Sequence, residues 1–208
     1  MASTPRLRFA GLWRRLGARG DSDRAFDELV TAHGTSGRRY HTLDHVLDCL
    51  VRLDESGTPP EDHDLVEAAI WFHDVVYDPH RADNEARSAE WAQRTLAAAG
   101  APPVVVERVA GLIRMTAHAE PARDRQGALL CDLDLSILGR DARAFDEYQR
   151  RIREEYAWVP EPLFRAARAR ILSAFLGRER IFLTDYFHDR YEDAARENLQ
   201  RALSALAD

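Results

Sequence analysis

Eight histidines and 35 acidic side chains stand in 208 residues, and four short segments hold the groups that could do chemistry together. In Tyr40-His41-Thr42-Leu43-Asp44-His45 two imidazoles are four residues apart, a spacing that stacks them on one face of a helix. His73-Asp74 closes a strongly apolar stretch, and burying both among Trp71, Phe72 and Val75 is costly unless a partner or a metal satisfies them. Thr116-Ala117-His118 adds another imidazole, and Leu130-Cys131-Asp132-Leu133-Asp134 adds two carboxylates in a second apolar segment. Imidazoles and carboxylates gathered at helix ends suit a hard or borderline divalent cation with positions left open for water. Each segment alone is weak evidence. The chain contains a second His-Asp pair, His188-Asp189, whose polar setting reads as a solvated or ion-paired face. What is specific is the ordered set His, His-Asp, Asp on separate elements.

The elements that must position these groups are helices. Apolar residues recur at three and four almost throughout, and alternating stretches are rare. Caps and breakers predict helices over about 6–16, 23–33, 42–55, 62–76, 84–99, 104–116, 129–138, 141–156, 160–176 and 184–206. β-branching at Val104–Val106 would permit a strand there, but it has no partner. The expected architecture is all-α, one domain over 1–208, with the motifs between about 38 and 139 and a helical extension over about 140–208. That extension shows no site signal; its aromatics (Phe145, Tyr148, Tyr156, Trp158, Phe164, Phe175) read as core or as a dimer face. The last helix, with Tyr191, Ala195, Leu199 and Leu206 on one stripe, would cover the domain or a second copy, leaving a homodimer open.

Composition removes several classes. All 29 basic residues are arginine, so Schiff-base and P-loop lysine chemistry are excluded. A net charge of −6 argues against a nucleic-acid polymer as partner. Two cysteines, Cys49 and Cys131, make no disulfide framework and fit a reducing, cytoplasmic setting. No apolar run approaches the ~18–20 residues of a membrane span, so no membrane partner is expected. The arginine-rich, acid-free segment Met1–Gly20 reads as a docked first helix, with a basic presequence as the competing reading.

These motifs resemble the HD superfamily of metal-dependent phosphohydrolases, named for the central dipeptide. The chain looks like a bacterial branch of predicted members with Y-H-T-x-x-H, H-D-x-x-Y-D, N-E-x-x-S-A, T-x-x-H and D-x-D-L-x-I-L-G. Here these are Tyr40–His45, His73–Asp78, Asn84-Glu85 with Ser88-Ala89, Thr116–His118 (one residue shorter than T-x-x-H) and Asp132–Gly139. The resemblance implies an HD-type helical bundle and one divalent ion (Mn, Mg, Ni, Co, Zn or Fe) on His45, His73, Asp74 and Asp134. It also implies that a metal-activated water attacks a phosphate ester or anhydride of a small, nucleotide-like or other, phosphorylated substrate. Asp74 would also accept the water's proton, and His41 or His118 would protonate the leaving oxygen. Asp132 would be an outer residue or the alternative ligand to Asp134, and His41 the alternative to His45. Glu85 would be a supporting acid, with Arg38, Arg39, Arg81 and Arg114 as candidates for the phosphate charge.

The departures are specific. Tyr77 stands where HD 5′-nucleotidases carry glutamate, and His80 follows Asp74 by only six residues, in a Pro-His-Arg-Ala-Asp turn that reads as exposed. Two other readings stay open: an HD-type di-iron oxygenase, with His118 and Glu85 or His80 at a second site, and a metal-dependent ligand-binding module without turnover.

Overall fold

A computed structural model describes residues 4–122 and 124–207, and every regular element among them is helical. In chain order these are α1 (Pro5–Arg15), α2 (Ser22–His33), α3 (Leu43–Glu55), α4 (Pro60–Phe72), α5 (Asn84–Ala98) and α6 (Pro103–Met115). There follow α7 (Arg125–Leu135), a 3-10 turn (Ser136–Gly139), α8 (Ala142–Glu155), α9 (Glu161–Leu176) and α10 (Asp185–Ala207).

α4 is the axis of the fold. From Val66 to Phe72 every residue is at most 1 % exposed, including Glu67, because α1, α3, α5, α6 and α7 all pack against it. A helix apolar all round must be central. α1 closes one side by setting Phe9 edge-on to Trp71 at 5.4 Å, with Phe26 of α2 at 5.9 Å from the same indole. The docked-helix expectation therefore holds for Pro5–Arg15, while Met1–Ser3 lie outside the described residues.

Several boundaries differ from expectation, each for a local reason. The stretch 104–106 is the first turn of α6, where Pro103 presets the helical φ. The Asp124 carboxylate accepts the Gly127 N–H, so α7 starts early and Gly127 falls inside it. α4 stops at Phe72 instead of near Val76. Carbonyls at and just beyond its end have other partners: the His73 ring donates to Ile70 O at 2.8 Å, and the Arg38 guanidinium donates to the carbonyls of Asp74 (2.6 Å) and Val75 (3.0 Å). A cation at a helix C-terminus is favourable to the dipole as well.

α10 packs within the chain, against α9 and the 3-10 turn. Gly139 makes this approach possible, since a Cβ there would meet Tyr191 Cβ and O at 2.5 Å. Asn198 Nδ2 then donates to Leu138 O (2.9 Å) and Arg140 O (2.8 Å) across the seam. Among the described residues no helix is long and apolar enough to cross a membrane.

Candidate metal centre

Three helix ends meet beside the axis. His45 sits in the first turn of α3, His73 and Asp74 follow the last residue of α4, and Asp134 lies in the last turn of α7. Nε2 of His45 is 3.2 Å from Nε2 of His73, 3.1 Å from Asp134 Oδ1 and 3.9 Å from Asp74 Oδ2. Nε2 of His73 is 3.1 Å from Asp74 Oδ2 and 3.7 Å from Asp134 Oδ1. Metal–ligand bonds of ~2.1 Å place adjacent ligand atoms roughly 3.0–3.5 Å apart, so this spacing fits a small divalent ion.

The chemistry of the donors fits too. His73 Nδ1 donates to Ile70 O, which leaves Nε2 as the atom facing the cluster, a metal-binding lone pair once that nitrogen is deprotonated. Burial alone would push the His73 imidazole down, but Asp74 and Asp134 outweigh it and push it up. Burial would likewise raise both carboxyls, yet His73 holds Asp74 below the usual carboxylate range, and His118, His45 and His73 do the same for Asp134. Histidine charge answers these half-buried carboxylates, and a divalent cation at the same place would replace it. His118 Nε2 binds the other oxygen of Asp134 at 2.8 Å. That imidazole is carried at a backbone φ of 52°, the left-handed region, and Arg178 caps its carbonyl at 3.1 Å.

His41 does not stack with His45 on a helix face. Thr42 is the N-cap of α3, so His41 lies in the preceding turn, its ring centre 6.3 Å from that of His45. It is held instead by Glu155 of α8, whose Oε2 accepts from His41 Nδ1 (2.7 Å) and Tyr77 Oη (2.8 Å). Oε1 of the same carboxylate accepts the backbone N–H groups of Arg39, Tyr40 and His41 at 2.7–3.0 Å. Tyr77 stacks on the His41 ring at 4.0 Å. Sequence reasoning passes over Glu155, because an acid in the charged run Arg150–Glu155 looks like solvated surface.

Asp132 is buried, but its carboxylate faces the start of α10, accepting from Leu183 N (2.8 Å), Thr184 N (2.7 Å) and Thr184 Oγ1 (2.7 Å). It tethers the C-terminal helix and faces away from the cluster that Asp134 joins, because two residues of helix turn it to the far side of α7. Burial pushes this carboxyl up to about 6, against the pull of the Thr184 and Leu183 donors. Asp132→Ala strands three donors and is expected to cost about 3 kcal/mol in urea unfolding; a loss below about 1 kcal/mol would contradict the tether.

The arginine candidates separate as well. Arg38 is buried, and four of its five N–H donors are taken by Thr35 Oγ1 and the carbonyls of His41, Asp74 and Val75, so it braces the site. Arg114 points outward to Gln93, and Arg39 is half exposed near Glu154. Arg81 and Glu85 line the cavity described next, with Arg81 paired to Asp83 at 2.7 Å. His80 is exposed and stacked on Trp158 at 4.1 Å. His33 is a core histidine that burial pushes down to about 4, and His188 sits 3.4 Å from Glu192.

A cavity of about 650 Å³ opens onto the cluster, with Asp74, Asp134, His41 and His118 in its lining. Its far wall comes from α8 and α9, through Tyr148, Tyr156, Phe164, Arg168 and Phe175, so the C-terminal extension does contribute to the site. Of the expected core or dimer-face aromatics, only Phe145 is fully buried core. A larger groove of about 1080 Å³ runs over α2 and α5 but holds none of the four converging side chains. His63, Asp64 and Glu67 form a second cluster of metal-ligating types. There the acids are already neutralised, Glu67 by Arg8 (2.7 Å) and Asp64 by Arg15 (2.8 Å), which makes it an ion-pair network. No family model matches the chain, and no curated protein or solved structure matches it.

Proposed function

We propose that this chain is a metal-dependent phosphohydrolase acting on a small phosphorylated molecule. The observation that carries the reading is the convergence, at the mouth of a cavity, of two imidazole nitrogens 3.2 Å apart, each 3.1–3.9 Å from a carboxylate oxygen of Asp74 and of Asp134. His45, His73, Asp74 and Asp134 would hold one divalent ion. Bound there, such an ion lowers the pKa of a coordinated water toward ~7 and polarises a phosphoryl oxygen.

The chain's own residues supply the rest. Asp74 lines the cavity and can take a proton from the attacking water. His41 has Nδ1 committed to Glu155, which orients the ring and leaves Nε2 to protonate a leaving oxygen, a contribution of ~10²–10⁴-fold. His118 fixes the second oxygen of Asp134 and keeps it turned to the cluster.

The test is phosphate release from a panel of phosphate esters and anhydrides by chelator-stripped protein, before and after adding Mn²⁺, Mg²⁺, Ni²⁺ or Co²⁺. Release that appears only with metal is expected. Equal release by the stripped protein, or none from any ester under any metal, overturns the reading.

A further inference from the structure

The far wall of the cavity contains one buried arginine that makes no ion pair within 4.0 Å among the described residues. Arg168 of α9 is 8 % exposed and lines the cavity. Its Nε donates to Gln149 Oε1 at 2.8 Å, and its guanidinium lies over the Tyr148 ring at 5.0 Å. Its Nη2 is buried with no hydrogen-bond partner, and no described carboxylate lies within 4.0 Å of the group. A neutral amide and a ring face do not compensate a guanidinium, which stays charged at any physiological pH. Removing such a group from water without a counter-ion costs several kcal/mol unless something else supplies the negative charge.

Two other arginines beside the site donate to backbone carbonyls. Arg38 spends its donors on backbone carbonyls, and Arg178 donates to His118 O. Arg168 keeps a buried, unused donor in a wall otherwise built from Tyr148, Tyr156, Phe164, Ile171 and Phe175. The stripe Phe164, Arg168, Ile171, Phe175 steps by four, three and four residues, which puts the arginine in the middle of α9's apolar face. Tyr148 in turn meets Tyr40 at 4.6 Å, and Tyr40 meets the His45 ring at 4.8 Å, so the guanidinium belongs to the same cavity as the cluster.

We propose that Arg168 is the anion anchor of this cavity, binding an oxyanion group of an organic phosphate whose apolar or planar body lies against Tyr148, Tyr156, Phe164 and Phe175. This deepens the phosphohydrolase reading and names its substrate class: phosphorylated molecules with an apolar body, in preference to small polar phosphates. The anion held is either the phosphoryl group itself or a second acidic group on the same molecule.

Calorimetric titrations of the full-length protein, with and without Mn²⁺, separate the cases. The probes are methylphosphonate, phenylphosphonate and 4-carboxyphenylphosphonate, against wild type, Arg168→Gln and Arg168→Lys. Wild type is expected to bind at least one ring-bearing probe about tenfold or more tightly than methylphosphonate. Arg168→Gln should lose at least tenfold for that probe, and Arg168→Lys, which keeps the charge, should recover part of it. A loss shared by phenylphosphonate assigns Arg168 to the phosphoryl group; a loss confined to the carboxylated probe assigns it to a second acid. No binding by wild type, or equal binding by wild type and Arg168→Gln, overturns the anchor. Hydrolysis is judged separately: if the Arg168 dependence stands while no ester is cleaved, the anchor survives and the reaction class falls.

Discussion

Alanine at position 73 is expected to weaken Mn²⁺ binding by at least ~100-fold and to remove metal-dependent phosphate release. Mutating residues that merely support a ligand commonly costs 10–100-fold in metal affinity, so removing a ligand itself should reach at least the top of that range. Asp74→Asn preserves the shape and deletes the charge, and the same direction is expected. The check that does not depend on turnover is thermal. Metal at about 100 times its Kd adds roughly 2.7 kcal/mol to the stability of a protein that binds it only when folded. Wild type should melt higher with Mn²⁺ than without, while in His73→Ala and Asp74→Asn the metal's contribution should fall to about 0.4 kcal/mol or less. An undiminished Mn²⁺ shift in both variants would remove the cluster from consideration as a metal site.

Glu155→Gln is the second large effect, and it reads out as stability. The carboxylate is 4 % exposed and accepts five hydrogen bonds: three from backbone N–H groups and one each from His41 and Tyr77. Glutamine can serve one oxygen's worth of these, but its NH₂ then faces the His41 and Tyr77 donors. A loss of about 3 kcal/mol at pH 7 is expected in urea titration. Burial would raise this carboxyl, but His41 and the backbone N–H groups of Arg39 and His41 prevail and hold it at about 2. A folded value below the usual 4.5 means that the stabilising contribution is complete above about 4.5 and is lost as pH falls toward 2. The difference corresponds to on the order of 3 kcal/mol. Wild type should therefore lose stability across that window more steeply than Glu155→Gln. Parallel acid transitions would place the low carboxyl elsewhere.

What is legible in the sequence follows the range of the interactions. The all-helical class is readable because the three-and-four periodicity is local, and His73-Asp74 stands out because charge-bearing groups interrupt an apolar run. The end of α4 is misread by about four residues, since the groups that finish it, Arg38 and Ser88, come from other segments. Asp132 and Asp134 cannot be told apart by their neighbours, as leucine follows both. The fold decides between them, because two residues along a helix turn a side chain by roughly 200°. Glu155 is 114 residues from the histidine it holds, and no local pattern marks it. Arg168 did leave a trace: an arginine in the centre of an apolar helical stripe.

The same half-turn between Asp132 and Asp134 has a mechanical consequence. One carboxylate is moored to the loop that launches α10, the other faces the cluster, and both ride on one short helix. A pull on the C-terminal helix is thereby transmitted along α7 to a candidate ligand, much as a load at one end of a rocker arm shifts the other. Sequence changes far out on α10, with no atom near the cavity, can then detune the site by letting that arm tilt.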